Sequence, residues 1–357
     1  MSGEGPILLS EETHERPTLK TIAAETGLAV ATVSRALKDA PDIGEETKRR
    51  VRETAERLGY RPNRAGVRLR TGKTNVIALV LSTEADIMNF TSRLIYSIAD
   101  RLRGTAYHLV VMPFFPDQDP MEPIRYIVET ESADGVILNQ TRPDDPRVAY
   151  MAERHFPFAT HGRTDMGIAH PYFDFDNEAY ARVGVRALAR RGRRQLLLVA
   201  PPLAHNYAQH MVTGFREESA RLGLQAEVME DVTSDSGASL TEVALVRRLA
   251  KAPVPDGIVL GSTTAALAAV SATELSGMKL GQDIDVVAKE AFQFLRRFRR
   301  ELIVVPEDVA RAGDFLARAI IAAIERRAPE QGQMLEVPGE VDVDPLDGGE
   351  ASERRQA

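Results

Sequence analysis

The sequence predicts an all-α helix-turn-helix head followed by a larger α/β body with two lobes. Apolar residues recur at helical spacing in three short segments between positions 17 and 60. From position 74 onward, short apolar runs alternate with helix-like stretches, a pattern typical of parallel sheets covered by helices. A turn followed by an apolar strand occurs at positions 134–138 and again at 256–260, which indicates that the body contains two similar lobes.

The composition excludes several classes of protein. The chain has 357 residues, which is long enough for more than one packed unit. No apolar run approaches the ~18 to 20 residues that span a bilayer, so we expect no membrane partner. Positions 1–16 hold four glutamates and no long apolar core. We interpret them as a disordered tail rather than a secretory signal, and we expect a cytoplasmic protein. The absence of cysteine excludes disulfides, thiolate metal ligands and cysteine nucleophiles.

Positive charge is concentrated in the head. Positions 16–73 contain 14 lysines and arginines against 7 aspartates and glutamates, whereas the rest of the chain has 31 against 45. A basic head is therefore joined to an acidic body. A small basic segment is typical of a phosphate-binding surface, although a solvated basic face would have the same composition.

Three predicted helices make up the head. The first follows Thr18, a candidate N-cap, and ends at Gly27; the second covers positions 30–37 and the third covers 44–58. Two short helices joined by a glycine-containing turn and braced by a third form a helix-turn-helix motif. Small three-helix bundles have the same periodicity, so only the specific residues can distinguish a helix-turn-helix from such a bundle.

Four segments carry a more specific pattern: LKTIAAETGL at 19–28, ATVSRAL at 31–37, ETKRRV at 46–51 and LGYRPNR at 58–64. Together they resemble the DNA-binding head of the LacI/GalR family of bacterial regulators. The resemblance implies that the second helix enters the major groove of double-stranded operator DNA. The matching base-contacting positions are Ala29, Val30, Ala31 and Arg35. Arg35 can donate two hydrogen bonds to guanine, and its alternative role is a phosphate contact or a surface salt bridge.

The same resemblance assigns residues that hold the DNA backbone without reading sequence. They are Thr18, Thr32, Thr47, Tyr60 and Asn63, and Arg64 adds phosphate attraction. Gly44 replaces a serine that many relatives carry, so the third helix is expected to lack one cap and one phosphate donor.

Positions 63–73 resemble the hinge helix of the family, which forms when two copies pair across the minor groove. Leu69 matches the leucine wedged between base pairs, and Gly66 replaces the usual alanine. Glycine costs roughly 0.5–1 kcal/mol in a helix, so we expect a more weakly formed hinge. A plain interdomain linker is the alternative interpretation.

Positions 74–340 resemble the periplasmic-binding-protein-like sensor of the same family, a two-lobed effector-binding and dimerisation domain with three chain crossings between lobes. The landmarks are positions 175–177, 214–215 and 306–309. Strands are predicted at 76–81, 109–112, 135–138, 196–200, 257–260, 285–288 and 302–305. An amphipathic helix is predicted for 307–327, crossing back between the lobes.

In such sheets a ligand binds beyond the carboxyl ends of the strands, between the lobes. Residues matched to those strand ends are Ser82, Thr83, Asn139, His161, Ser262, Glu290 and Glu307, with Phe90 and Phe173 as candidate stacking walls. Each residue taken singly is also compatible with an ordinary loop role, and His161 with a structural hydrogen bond. As a set they offer a polar ligand directional partners.

Several of these positions depart from the pattern of sugar-binding relatives. Met211, which we also include in the effector site, stands where such relatives commonly carry an arginine. Ser262-Thr263 replaces an Asn-Asp pair, and the segment 288–291 replaces a Gly-x-Asp-Asp-like turn. Loss of the arginine disfavours a strongly anionic ligand, so we expect a neutral sugar, sugar derivative or polyol. No metal site and no cofactor are predicted.

The end of the chain bears on assembly. Positions 341–357 are acidic and glycine-rich, and we interpret them as a disordered tail without the leucine heptads of a tetramer. A homodimer is the simpler assembly, and two recognition helices related by a two-fold axis would read a pseudo-palindromic operator.

Three functional classes fit the sequence: an effector-controlled repressor, a DNA-binding activator or architectural protein without a ligand, and an enzyme with a DNA-binding head. The sequence has no phosphate loop, no H-E-x-x-H and no G-x-S-x-G, so an enzyme is not predicted. We expect a repressor that regulates uptake or catabolism of a carbon source. The sequence leaves open whether the effector releases DNA or strengthens its binding.

Overall fold

A computed structural model describes residues 17–60, 68, 72–83, 87–115, 117–291, 294–328 and 332–341, with only the backbone described at 87–89. The chain divides into two compact units, and the division falls between Thr74 and Asn75. The predicted tail at 1–16, the predicted tail at 341–357 except for Val341, and positions 63–67 and 69–71 of the predicted hinge lie outside the described residues.

The N-terminal unit consists of three helices, α1 (Leu19–Thr26), α2 (Val30–Ala36) and α3 (Glu45–Arg57). Thr18 caps α1, since its side chain accepts a hydrogen bond from the Thr21 N–H at 3.3 Å. Gly27 ends that helix at φ 67°, a conformation that favours glycine. Ile22, Val33 and Val51, one from each helix, are fully buried against one another. The predicted helix-turn-helix is confirmed, with helix bounds within one residue of the prediction.

The start of α3 compensates for the glycine that precedes it. Gly44 makes no side-chain cap, as expected for the missing serine. The buried side chain of Lys48 instead binds Glu45 at 2.8 Å and Asp39 at 3.1 Å. Asp39 belongs to the loop after α2, so this ion-pair group joins α3 to that loop.

The C-terminal unit is built on two sheets with parallel pairing. The first sheet has the order β11-β5-β4-β3-β1-β2 and contains β1 (Val76–Ser82), β2 (His108–Phe114), β3 (Gly135–Leu138), β4 (Phe158–His161), β5 (Tyr172–Phe175) and β11 (Gln333–Glu336). The second has the order β10-β9-β8-β6-β7 and contains β6 (Gln195–Val199), β7 (Gln225–Val228), β8 (Gly257–Leu260), β9 (Asp285–Glu290) and β10 (Ile303–Pro306).

Helices cover both sheets and bury separate apolar cores. They are α4 (Ile87–Leu102), α5 (Met121–Thr130), α6 (Pro146–Glu153), α7 (Asn177–Arg190), α8 (Asn206–Arg221), α9 (Ala238–Leu249), α10 (Thr263–Leu275), α11 (Leu295–Phe298) and α12 (Val309–Ile324). In the first lobe α12 packs against α4, and its Leu316 and Ile320 are fully buried. In the second lobe Tyr180 and Phe215 are fully buried on one face of the sheet.

The repeated Asp-Gly unit has the same structural role in both lobes. The Asp134 carboxylate accepts the backbone N–H of Asn75 at 2.8 Å, just before β1. The Asp256 carboxylate accepts the backbone N–H of Gln195 at 2.8 Å, at the start of β6. The following glycine is required because a Cβ at Gly135 would lie 2.8 Å from the Ile320 side chain. The expectation of two similar lobes is therefore confirmed.

The chain passes between the lobes three times. It leaves the first lobe after β5 and returns after β10 into α12 and β11. The segment after β11 then reaches the second lobe, where Glu340 accepts a hydrogen bond from Arg186 at 2.7 Å. The helix predicted for 307–327 begins two residues later than expected, because Asp308 caps it by accepting the Arg311 N–H at 3.0 Å.

Four strands were missing from the prediction: β4, β5, β7 and β11. Strands β7 and β11 lie at sheet edges and carry exposed polar residues, so no apolar run marks them. Among the described residues, the helices are too short or too polar to cross a membrane.

Candidate functional site

The predicted base-contacting residues lie at exposed positions of α2 and its N-cap. Ala29 is the N-cap residue, Val30 and Ala31 form the first turn, and all three are exposed. The side chain of Arg35, one turn further along, is 55% exposed. The structure thus leaves all four residues open to a partner.

Arg35 forms an ion pair with Asp42, which belongs to the loop between α2 and α3. Both side chains are about half exposed, and such pairs contribute only about 0–1 kcal/mol. Because the pair is weak, Arg35 can exchange Asp42 for a base edge at little cost. The surface salt bridge considered from the sequence is therefore present and compatible with base reading.

The predicted backbone-contacting residues fall into two groups. Thr18 is exposed, whereas Thr32, Thr47 and Tyr60 are half buried around the three-helix core. Asn63, Arg64, Gly66 and Leu69 lie outside the described residues.

A cavity of about 120 Å³ lies between the two lobes of the C-terminal unit. A single water requires only about 10–15 Å³ measured in this way, so the cavity accommodates a larger molecule. Seven predicted residues line it: Ser82, Phe90, Asn139, His161, Ser262, Glu290 and Glu307. They come from the carboxyl ends of strands in both sheets and from α4. Ligands of parallel α/β sheets bind at the carboxyl ends of the strands.

An ion pair occupies the second-lobe wall of the cavity. The Lys289 Nζ lies 3.4 Å from a carboxylate oxygen of Glu307, and donates to the Asn177 Oδ1 at 3.1 Å. Lys289 ends near the rings of Phe175 and Tyr207, at 5.4 and 5.8 Å from their centroids. A buried amine therefore has a carboxylate, an amide and two aromatic faces around it.

A second ion pair joins Arg163 and Asp174 across 3.3 Å. Burial raises the pKa of Asp174 to about 7, against the opposing effect of Arg163. Arg163 also contacts the Nδ1 of His210 at 3.3 Å, and His210 belongs to α8 in the second lobe. This group thus connects the cavity to a contact between the lobes.

A further polar contact between the lobes surrounds Asn206 at the start of α8. Its side-chain amide donates to the Arg163 carbonyl at 3.0 Å and to the Asp165 carboxylate at 3.1 Å. Its backbone N–H donates to the Thr141 carbonyl at 2.8 Å. The first turn of α8 is therefore fastened to the first lobe beside the cavity.

Asn139 and His161 offer polar atoms without a protein partner. They follow the neighbouring strands β3 and β4, and the Oδ1 of Asn139 and the Nε2 of His161 are fully enclosed and accept or donate no hydrogen bond. Phe90 meets the His161 ring edge-on at 4.9 Å. Unpaired buried polar atoms are costly, so these two atoms are unusual in a folded protein.

Burial lowers the pKa of His161 to about 4, so its imidazole is neutral at neutral pH. The pKa of His161 in the folded state lies below the ordinary value of 6.5, so protonation favours the unfolded chain. The free energy of unfolding is therefore highest above about pH 6.5 and falls as the pH drops toward 4. We expect His161→Gln to lose less stability than the wild type between pH 6.5 and 4.5, by up to about 1.4 kcal/mol per pH unit.

Urea denaturation across this pH range measures the difference. The control is His108→Gln, because His108 is an exposed histidine outside the cavity. Parallel profiles for wild type and His161→Gln would contradict the assignment of a buried neutral imidazole.

Three residues predicted for the effector site do not line the cavity. Met211 is fully buried in the core of the second lobe, because its side chain points from α8 toward the sheet. Phe173 is fully buried beneath His161, with ring centroids 6.0 Å apart, and supports that ring instead of a ligand. Thr83 donates its backbone N–H to the Phe114 carbonyl at 2.9 Å, beside β2.

Two cavity residues also have structural roles. The Ser262 hydroxyl caps α10 by accepting the Ala265 N–H at 3.1 Å, and donates to the Ser234 carbonyl at 2.9 Å. The Glu290 carboxylate accepts the N–H groups of Phe294 and Leu295, at 3.1 and 2.7 Å. Their hydrogen bonds shape the loops at the rim of the cavity.

Twelve of the described residues that line the cavity were not predicted from the sequence, among them Asp174, Asn177, Tyr207, Asp235 and Lys289. Lys289 lies inside the altered segment 288–291, and that alteration was a usable signal. Asp174 directly precedes the landmark at 175–177 and Asn177 is its last residue, at the point where the chain leaves the first lobe.

The two units define a class of protein: a helix-turn-helix DNA-binding regulator with a two-lobed ligand-binding domain. Comparison with known proteins supports the same class. Residues 18–63 match the model of bacterial regulatory proteins of the lacI family, and residues 185–343 match a periplasmic binding protein-like domain. The chain belongs to the LacI family and is a transcriptional regulator, not an enzyme.

Individual relatives extend over most of the chain. The transcriptional regulator AglR of Rhizobium meliloti is 31% identical over 327 residues, covering 88% of this chain and 90% of the relative. A structure of the Lac repressor dimer bound to operator has a TM-score of 0.80 at 22% identity, covering 92% of this chain and 98% of that one. A complex of the regulator CelR with cellobiose has a TM-score of 0.65 at 22% identity, covering 91% and 98%. These two structures support the fold.

Proposed function

We propose that this regulator is a homodimeric repressor whose affinity for a pseudo-palindromic operator is controlled by a neutral sugar or polyol. The observation that carries the proposal is the cavity between the lobes, which is lined by Asn139 and His161, each with an unpaired polar atom, and by the Lys289–Glu307 pair. Amide, imidazole, amine and carboxylate groups supply the donors and acceptors that hydroxyl groups need. The regulator CelR, of similar fold, forms a complex with cellobiose, which supports a sugar as the ligand class.

Control of DNA binding follows from the position of the ligand. A molecule held by both lobes favours one lobe arrangement over another, and can shift the equilibrium only by its difference in affinity for the two. We propose that this shift alters pairing of the hinge at 63–73, with Leu69 in the minor groove, and hence operator affinity. As a repressor of bacterial genes, the protein would act in the cytoplasm on genes for carbon-source uptake or catabolism.

One experiment tests both halves of the proposal. Random DNA is incubated with the purified protein, and retained fragments are sequenced with and without a panel of sugars, polyols and organic phosphates. We expect a common palindrome, and one neutral sugar or polyol that changes its retention. Retained DNA without a palindrome would contradict operator recognition, and a response only to organic phosphates would contradict the ligand class.

Arg35→Lys tests base reading within that operator. Lysine keeps the positive charge but cannot donate two parallel hydrogen bonds, so we expect discrimination at one guanine to fall by about 1–3 kcal/mol. Affinity for non-specific DNA should change little. The control is Arg49→Lys, whose side chain pairs with Glu46 and Glu53 on the exposed side of α3. Equal weakening on every DNA sequence would instead assign Arg35 to a phosphate.

A further inference from the structure

Helix α8 of the second lobe contacts the first lobe through one face. Asn206 and His210 are four residues apart, so they lie one turn apart on the same side of the helix. Both contact the loop after β4, where Asn206 donates to the Arg163 carbonyl and the Asp165 carboxylate, and His210 contacts the Arg163 guanidinium. We call these four residues the lobe latch. Among the described residues that line the cavity, none belongs to it.

The first-lobe half of the latch is held from two sides. The Thr141 hydroxyl donates to the Arg163 carbonyl at 2.9 Å. Gly162 permits this approach, because its φ is 104° and a Cβ there would lie 2.5 Å from the Thr141 Oγ1. The Asp174 carboxylate lies 3.3 Å from the Arg163 guanidinium. Both the backbone and the side chain of Arg163 are therefore fixed before α8 meets them.

The contact between Arg163 and His210 defines the protonation state of the imidazole. A guanidinium has no acceptor, so Arg163 donates and the Nδ1 of His210 accepts, at 3.3 Å. The ring proton must then lie on Nε2. A protonated imidazole carries an N–H on both nitrogens, cannot accept, and has the same charge as Arg163. The hydrogen bond therefore exists only with neutral His210.

The surroundings of His210 determine which way a proton acts. Burial lowers the pKa of His210 below its ordinary value of 6.5, and Arg163 lowers it further. Three carboxylates oppose these effects, those of Asp165, Asp176 and Glu178. Separating the lobes removes Arg163 and part of the burial, which returns the pKa toward its ordinary value. Since the latched arrangement has the lower pKa, protonation of His210 favours separated lobes.

We infer that His210 makes the lobe latch sensitive to pH, so that the latch holds with a neutral imidazole and opens when the ring gains a proton. Acidification then biases the arrangement of the two lobes through residues outside the cavity. The latch requires neither an effector nor an operator, so its test is independent of the proposed function.

The backbone N–H of Asn206 reports directly on the latch. It lies in the first turn of α8, where N–H groups have no acceptor within the helix, and it donates to the Thr141 carbonyl of the first lobe at 2.8 Å. Hydrogen exchange of this amide, resolved by overlapping peptides in mass spectrometry, therefore measures opening of the latch. Dividing by the exchange rate of an unfolded peptide at each pH gives a protection factor.

Two other amides are internal references, since each has its acceptor inside its own lobe. The Asp165 N–H donates to the Pro143 carbonyl at 2.9 Å, and the Gly261 N–H donates to the Val199 carbonyl at 3.1 Å. A change in overall stability with pH alters all three amides, whereas opening of the latch alters Asn206 alone.

In the full chain, we expect the protection of the Asn206 amide to fall roughly twofold to tenfold from pH 7.5 to 5.5 relative to the references, as for one lost hydrogen bond. His210→Gln keeps an acceptor that does not titrate, and should abolish the fall. His210→Lys carries a permanent charge, and should lower the protection already at pH 7.5. The exposed His108 lies outside the latch, so the control His108→Gln should retain the wild-type fall.

Asp174 is a second titrating group beside Arg163. Burial raises the pKa of Asp174 to about 7, against the opposing effects of Arg163 and Lys289, and Glu307 raises it further. Asp174→Asn removes this titration and keeps the shape of the side chain. We expect the fall in protection to persist in Asp174→Asn and to be absent from D174N/H210Q.

Each variant is compared with itself at the two pH values, so a constant loss of stability does not alter the result. Thermal unfolding at pH 7.5 checks that each variant folds. Equal protection of the wild type at both pH values overturns the inference. A fall that persists in His210→Gln, or that disappears in Asp174→Asn, assigns the proton to another group and overturns it as well.

Discussion

Replacing Arg191 and Arg193 together with methionine is expected to lower the free energy of unfolding of the second lobe by about 3–5 kcal/mol. Both arginines bind Asp285 at the start of β9: Arg193 at 2.6 Å and Arg191 at 3.1 Å. Asp285 is fully buried, so the double variant leaves a carboxylate without a counter-charge in the core. Breaking a buried pair in this way is far more costly than the pair's own contribution.

Hydrogen exchange of peptides from the second sheet, followed in urea, measures this loss. Adding Asp285→Asn to the double variant removes the stranded charge and should restore part of the stability. The control is Arg190→Met, whose ion pair with Glu340 is half exposed and should contribute less than about 1 kcal/mol. A loss equal to that control would refute the role assigned to the buried pair.

Arg147→Met is expected to lower the free energy of unfolding of the first lobe, again by about 3–5 kcal/mol. Arg147 makes two hydrogen bonds to Asp145, at 2.7 and 3.0 Å, and both side chains are buried. It also donates to the Gln140 carbonyl at 3.0 Å. Since Asn139 and Gln140 line the cavity, we expect effector affinity to fall together with stability.

The pH dependence of this contribution is set by Asp145. Burial alone would raise the pKa of its carboxyl, but hydrogen bonds and charge from Arg147 outweigh burial, and the pKa lies below its ordinary value. The stability is therefore present at neutral pH and declines as the pH falls through that lowered pKa. Arg125→Met, at the exposed pair with Asp119, is the matched control. Urea denaturation at pH 7 measures the two variants. Equal losses of unfolding free energy in Arg147→Met and Arg125→Met would contradict the larger contribution of the buried pair.

Sequence reasoning predicted the buried framework well. Strands β3 and β8 have the predicted bounds because all four residues of each are apolar or glycine and fully buried. The edge strands β7 and β11 escaped prediction because solvent tolerates glutamine and glutamate there. What defines β7, for example, is its hydrogen bonding to β6, and no side-chain pattern records that pairing.

For the cavity between the lobes, the sequence predicted which strand ends contribute residues but not which way every side chain points. Strand ends identified Asn139 and His161, because carboxyl ends of parallel strands meet at one edge. Met211 and Phe173 failed to reach the cavity because the pitch of a helix and the alternation of a strand turn them into the cores. The partnership of Lys289 with Glu307 depends on pairing between β9 and β10, which is a tertiary contact.

The three crossings between the lobes also set an order of assembly on the ribosome. The main strands and helices of the second lobe form one uninterrupted stretch, α7 to β10, whereas the first lobe needs α12 and β11 to complete its core and its sheet. During synthesis the strands and helices of the second lobe are therefore complete before α12 and β11 of the first lobe have been made. Helices α1–α3 precede the larger unit in the chain, so each new molecule has a complete helix-turn-helix before the cavity between the lobes can form.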